Sequence, residues 1–191
     1  MNDQVQALNL KWCKALLQEA CCSGKKLVMG EGKDLKPAIM LIGEAPGAQE
    51  EAQGRPFVGK AGQNLNEFLA LLGLEREQIY ITNAVKIRPS VLGASGKEKN
   101  RPPTRKEVEL FTPWLKDEIR SVKPRLIVTL GNTPLRVVYG TKAVIGNLHG
   151  KLMQTSEGLA LFPLYHPAAV IYNRALRSVY EEDLERLKAI L

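Results

Sequence analysis

The sequence predicts a three-layer α/β/α sandwich around a central four-stranded parallel sheet, and three observations predict it. Four short apolar runs, at 38–42, 78–82, 125–130 and 159–164, have the length and composition of buried strands. Segments of helical period lie between and around them. Strands that alternate with helices demand right-handed crossovers, which make the sheet parallel and cover both of its faces. A chain of 191 residues, 45% hydrophobic and 25% charged, suits one domain with a full core, spanning 1–191.

Val5, Leu8, Trp12 and Leu16 line one face of an N-terminal helix. The first strand, 38–42, runs straight into "GEAPGAQEEAQGRPFVGKAG" (43–62), with five glycines, two prolines and three glutamates. Loops at this end of a parallel strand are where α/β proteins hold ligands. Leu65, Phe68, Leu69 and Leu72 then mark a helix that Gly73 ends. After the second strand, 78–82, comes a segment rich in Pro, Gly and Ser that reads as a loop. Val108, Phe111, Leu115, Ile119 and Val122 define the next helix, with Thr104 as its cap and Pro124 as its stop. The third and fourth strands follow, and Leu176, Tyr180, Leu184, Leu187 and Leu191 mark a last helix. The chain has no internal repeat.

Composition narrows the function. No apolar run approaches the ~20 residues of a membrane span, and the polar N-terminal helix does not resemble a signal peptide, so a cytoplasmic protein without a membrane partner is expected. The three cysteines, Cys13, Cys21 and Cys22, form no disulfide framework and contain no Cys-x-x-Cys pair. They read as buried or spare thiols. The net charge of +7 is unevenly placed: residues 84–142 hold 13 Lys and Arg against 5 Asp and Glu, a net of +8. A solvated basic face accounts for such an excess in many proteins. Here much of it falls on "KIRPSVLGASGKEKNRPPTRK" (86–106), beside a single acid, Glu98. A basic loop of this kind suits a phosphodiester backbone, through Coulomb attraction and counterion release.

Segments leaving the carboxyl ends of parallel strands share one edge. Glu44, Glu50, Phe57, Asn83, Asn132 and His166 therefore converge toward one cleft. Singly, each has a plainer reading: a turn asparagine, a loop histidine, a core phenylalanine, a solvated acidic loop. Together, a flat ring, an amide with a donor side and an acceptor side, and an imidazole donor suit a planar base with an imide edge. Phe57 would stack, Asn83 would pair with a ring N–H and its neighbouring carbonyl, and His166 would meet a second carbonyl as negative charge grows there. Uracil has these features.

Four motifs in order carry a resemblance to a known family. "GEAPG…GRPFVGKAGQNL", "ITNAVKIRP", "RLIVTLGNTP" and "YHPAAV" resemble the uracil-DNA glycosylase superfamily, and most of all its family 4, the iron–sulfur branch. The resemblance covers nearly the whole chain from about residue 27. It implies hydrolysis of the N-glycosidic bond of uracil, or a related deaminated base, in DNA, by a monofunctional base-excision repair enzyme. It implies that Phe57 stacks on the flipped base, Asn83 reads its imide edge, and His166 stabilises the departing anion. Glu44 and Glu50 stand where that family carries its loop carboxylates, with Glu44 orienting water or countering sugar charge, and Glu50, with Gly47, crowding the 5-methyl of thymine. Gly43, Ala45 and Asn100 complete the expected base-binding set. Lys60, Lys86, Arg88, Arg101, Pro167, Ala168 and Arg174 are the expected DNA contacts. A monomer is expected.

The chain departs from that family in one respect. Family 4 holds a [4Fe–4S] cluster on four cysteines, and two of those positions are occupied here by Ile87 and Phe111. Cys13, Cys21 and Cys22 are out of register with the other two. The expectation is no iron, with Ile87 and Phe111 packing into the hollow. Ala45 stands where the best-studied branch carries its water-activating aspartate. Two alternatives therefore stand beside the enzyme: a non-enzymatic or very weakly active DNA-binding relative, and a small-molecule nucleotide-binding α/β protein.

Overall fold

The computed structural model describes residues 3–16, 18–173 and 175–191, with the backbone alone at 171 and 172. Its helices are α1 (Asp3–Leu16), α2 (Ala48–Gln53), α3 (Lys60–Leu72), α4 (Arg105–Val122), α5 (Asn132–Val138), α6 (Ile145–Leu148), α7 (Pro167–Tyr172) and α8 (Leu176–Ala189). The strands are β1 (Glu31–Gly32), β2 (Ile39–Gly43), β3 (Tyr80–Asn83), β4 (Ser90–Leu92), β5 (Glu98–Asn100), β6 (Leu126–Leu130), β7 (Met153–Gln154) and β8 (Ala160–Leu164). The main sheet runs β1-β3-β2-β6-β8-β7. Its four central strands are the predicted parallel set, and the two-residue edges β1 and β7 are antiparallel additions.

The period of two along β2 divides the core. Ile39 and Leu41 face Leu65, Phe68 and Leu69 of α3 and Leu184 and Leu187 of α8. Met40 and Ile42 face Leu115, Ile119 and Val122 of α4, Leu135 of α5 and Val5 of α1. Helix α3 ends on Gly73 in the left-handed region, φ 69°. Helix α4 begins on Thr104, whose hydroxyl accepts from the Glu107 amide at 3.2 Å. Its carboxyl end is capped at Lys123, one residue before Pro124.

One segment departs from expectation. The stretch read as a loop folds into a separate hairpin, β4 against β5, with Val91 opposite Lys99. It is tied by Lys25, which donates to Ser90 Oγ at 2.6 Å and pairs with Glu98 at 3.0 Å. Those contacts cross 65 and 73 residues of chain, so no local pattern announces them.

Candidate active site

Backbone pairing first brings the strand ends together. Gly43 lies opposite Asn83 in the sheet, and the ladder continues past it, with the Ala84 amide donating to Gly43 O at 2.8 Å and the Val85 amide to Glu44 O at 3.0 Å. On the far side the Gly131 amide donates to Leu164 O at 2.8 Å. The segments carrying Glu44, Asn83, Thr133 and His166 thus leave one edge, as the topology requires.

Gly43 is the floor on which the site converges. A Cβ there would collide with Asn83 Oδ1 and would lie 2.5 Å from the Phe57 ring. Only glycine leaves room for both. Asn83 itself is 3% exposed. The Phe57 ring belongs to the core at its inner side and stacks toward His166, with centroids 6.2 Å apart and planes 27° from parallel. Phe57 is thus a core residue whose ring also reaches the edge where His166 stands.

Phe57 reaches this position through a strained backbone, φ 53°, uncommon for a bulky residue. Three neighbours hold it. Arg76 donates to the carbonyls of Pro56 and of Phe57, the latter at 3.1 Å, and is itself fixed by Glu31 at 2.8 Å. Gly62, in the first turn of α3, lies so close that any Cβ would strike Phe57 O. Glu50 closes the loop from the other side: its carboxylate accepts from the amides of Gly47 (3.1 Å), Val58 (3.0 Å) and Gly59 (2.8 Å). Glu50 was expected among the catalytic carboxylates. It is buried and committed to three amides, which makes it the pin of the loop rather than a free base.

His166 caps α7. The Ala168 amide donates to its Nδ1 at 3.2 Å, so Nδ1 carries no proton and Nε2–H is the donor. Burial pushes its pKa below the ordinary histidine value, again favouring the neutral ring. Glu44, half-buried, accepts from the Thr133 hydroxyl at 2.5 Å. Thr133, Arg76 and Glu31 had no signal in the sequence as site residues, because each meets its partner across at least 19 residues of chain.

Several expected DNA contacts are placed otherwise. Lys86 is fully buried: its Nζ meets Glu118 at 2.6 Å and donates to Asn83 O at 2.9 Å and to the Thr82 hydroxyl, which leaves no amine for a phosphate. It supports Asn83 from beneath. Pro167 is buried as the first residue of α7. Arg88 is engaged by Glu51, Glu98 and Asn100, and Arg101 by Glu107 at 2.7 Å, so neither is a free cation. Lys60 is exposed at the start of α3, and Ala168 is partly exposed. Arg174 lies outside the described residues. Ala45 packs against the cluster beneath the hairpin, and Asn100 is exposed with its amide oxygen accepting from Arg88 at 2.7 Å. Asn132 turns from the cleft to accept from the Ile145 amide at 2.9 Å. A groove of about 910 Å³ between α4 and α5, with Lys116, Arg136 and Tyr139 on its walls, is not lined by Phe57, Asn83 or His166.

The arrangement sets a ring, an amide and a neutral imidazole together at the carboxyl edge of a parallel α/β sheet. The comparisons with known proteins point to one family. A family model described as the uracil DNA glycosylase superfamily matches residues 29–188. A type-4 uracil-DNA glycosylase of Saccharolobus solfataricus is 39% identical over 87% of this chain and 77% of its own. One from Pyrobaculum aerophilum is 42% identical over 84% and 81%. The solved structure of SMUG2 from Pedobacter heparinus shares the fold, with a TM-score of 0.55 at 14% identity over 81% of this chain and 74% of that one. The chain belongs to the uracil DNA glycosylase superfamily, among its type-4 members.

The iron–sulfur cluster implied by that branch does not fit the residues present. A cluster of this kind needs four thiolates, and the chain has three cysteines in all. Ile87 and Phe111 are buried in one apolar cluster with Leu16, Cys22, Val85 and Trp114. Burial pushes the Cys22 thiol up to about 12, helped by the Cys21 sulfur 3.7 Å away, which opposes the thiolate a metal would need.

Proposed function

We propose that this chain excises uracil, or a related deaminated base, from DNA by hydrolysing its N-glycosidic bond, acting as a monomeric, single-domain cytoplasmic enzyme without an iron–sulfur cluster. The observation that carries the reading is the meeting of Phe57 and Asn83 over Gly43 at one sheet edge, with His166 stacked toward Phe57. A base flipped from the duplex stacks on Phe57 at the edge facing His166. Asn83 receives its imide edge with one donor and one acceptor, a pattern that cytosine reverses. As the glycosidic bond stretches, the electron pair moves into the ring and onto the carbonyl nearest the sugar. His166 Nε2–H meets that charge as a neutral donor and keeps its proton. Glu44, steadied by Thr133, faces the positive charge that develops on the sugar and orients the water that completes hydrolysis.

The test is single-turnover release of labelled uracil from an oligonucleotide, single-stranded and opposite G or A. Release that vanishes in Asn83→Ala and His166→Ala proteins, while DNA affinity barely changes, is the expected result. DNA binding with no release from any uracil or deaminated-purine substrate would instead establish the non-enzymatic DNA-binding relative. The absence of a cluster is checked separately by iron analysis of the purified protein, which should find none in stoichiometric amount.

A further inference from the structure

The mechanism above uses one of the chain's two histidines. The other, His149, stands at the end of α6, and its Nδ1–H donates to Asp183 Oδ2 at 2.6 Å across 34 residues of chain. Asp183 belongs to α8 and its side chain is 1% exposed, against 22% for His149. The fit around the pair is close. Gly150, at φ 67°, brings its backbone so near that a Cβ would strike Asp183 Oδ1. That oxygen has no hydrogen-bond partner among the described residues and only Arg186 Nη1 near it, at 3.6 Å. A buried carboxylate held by a single good hydrogen bond is a poor way to stabilise a fold. It is a good way to fix the direction of an imidazole ring.

What that ring touches gives the pair its use. His149 packs on Tyr165, with centroids 4.7 Å apart and planes 37° from parallel. Tyr165 is the residue before His166, where the chain leaves β8. Backbone hydrogen bonds grip the chain on either side of it. The Gly150 amide donates to Pro163 O at 2.9 Å and the Gly131 amide to Leu164 O at 2.8 Å, while beyond it the Ala169 amide donates to His166 O at 2.8 Å. Between those anchors Tyr165 is located by its ring, which lies against both core clusters and under His149. Gly150 ties His149 to β8, and Asp183 ties it to α8, so the ring that meets Tyr165 is fixed from two elements.

We propose that His149 and Asp183 are positioning residues for His166: the hydrogen-bonded pair holds the Tyr165 ring, and through it the backbone that aims His166 Nε2–H. The inference rests on the glycosylase reading for its catalytic consequence, but its first test needs no activity. Nδ1 is a donor in His149 and an acceptor in His166, so NMR of nitrogen-labelled histidine tells the two apart. In His149→Ala the one histidine left is His166, whose signal is then unambiguous. The expected wild-type spectrum shows His166 as a single Nε2–H tautomer. Its shifts should move or broaden in His149→Ala and Asp183→Ala, and largely return in Asp183→Asn, which keeps an acceptor oxygen. Single-turnover uracil release should fall about tenfold in both alanine variants with DNA affinity unchanged, since a small error in aim costs that much. Where Asp183→Ala does not fold, His149→Ala, at a partly exposed position, carries the test. His166 shifts that stay at wild-type values in a folded alanine variant overturn the positioning role, even with stability lowered, because the pair would then only hold α8 to the sheet. Release that falls only in proportion to DNA affinity overturns it too. Wild-type protein that releases no uracil, while its His166 shifts still respond to His149→Ala, would overturn the glycosylase reading and leave the positioning role standing.

Discussion

The buried ion pair under Asn83 offers a perturbation whose size follows from its surroundings. Lys86 and Glu118 have fully buried side chains and meet at 2.6 Å. Burial pulls the Lys86 pKa below the ordinary lysine value, while Glu118 holds it up. Replacing Lys86 by Met leaves a buried carboxylate with only the Tyr80 hydroxyl at 2.8 Å and the Thr82 hydroxyl at 3.2 Å. Breaking one side of such a pair costs about 3–5 kcal/mol. The two remaining donors place Lys86→Met at the lower end, about 3 kcal/mol, or ~6–12 °C in Tm for a domain of this size. Replacing both partners, Lys86→Met with Glu118→Leu, removes the orphaned charge, so the double variant should cost much less than the two singles together. Urea unfolding followed by tryptophan fluorescence suits the test. The chain has two tryptophans, Trp12 and Trp114, which stack at 6.3 Å, and Lys86 Nζ lies 5.7 Å from the Trp114 ring. Because Lys86 also holds the Asn83 carbonyl, uracil release by folded Lys86→Met should fall about tenfold at low temperature. A cost under about 1 kcal/mol, or singles that add within about 0.5 kcal/mol in the double, would refute the coupling.

Other outcomes follow from the same geometry. Gly43→Ala should fold but lose uracil release by at least about a hundredfold, since the added methyl displaces both Asn83 and Phe57; single-turnover rates check it. Thr133→Val removes the donor that steadies Glu44 and should lower the release rate about tenfold with little change in DNA affinity. On the proposed mechanism His166 works as a neutral ring, and burial lowers its pKa. The release rate should therefore hold as pH falls through the ordinary histidine value of about 6.5, and drop only below it, in a pH profile of single-turnover release. Glu107 is held down to about 2 by Arg101 and by Thr104. A depressed carboxylate contributes stability that is present above its unfolded value near 4.5 and is lost as pH falls toward 2. Wild-type protein should accordingly lose up to about 3 kcal/mol more than Glu107→Gln across that acid window in urea unfolding.

What the sequence disclosed depended on how far each contact reaches along the chain. The central strands were legible because continuous apolar runs have few other homes, and Asn83, Phe57 and His166 because short motifs surround them. β1 and β7 were not, since two residues have no period. The hairpin was misread because Pro, Gly and Lys describe a loop by composition, whereas its order comes from ion pairs with Lys25 and with Glu51 of α2. Lys86 was misread for a related reason. A lysine within a basic segment suggests solvent, but Ala84, Val85 and Ile87 around it are all buried, and that apolar setting was the available sign of an interior cation. Thr133 and Arg76 reach their partners only through the folded chain, and no spacing rule foreshadows them.

The held backbone of Phe57 bears on how such an enzyme spends its time on DNA. With Arg76, Gly62 and Glu50 fixing the ring's support, the back wall of the pocket stands before any nucleotide arrives. Inspection then needs no segment to fold around the candidate. On the proposed mechanism, each undamaged base that swings out meets a wall already set, presents the wrong edge to Asn83, and falls back as fast as its own stacking draws it. The dwell at every false site is set by DNA mechanics rather than by a protein clock, which lets a sparse lesion be found among a great many ordinary bases.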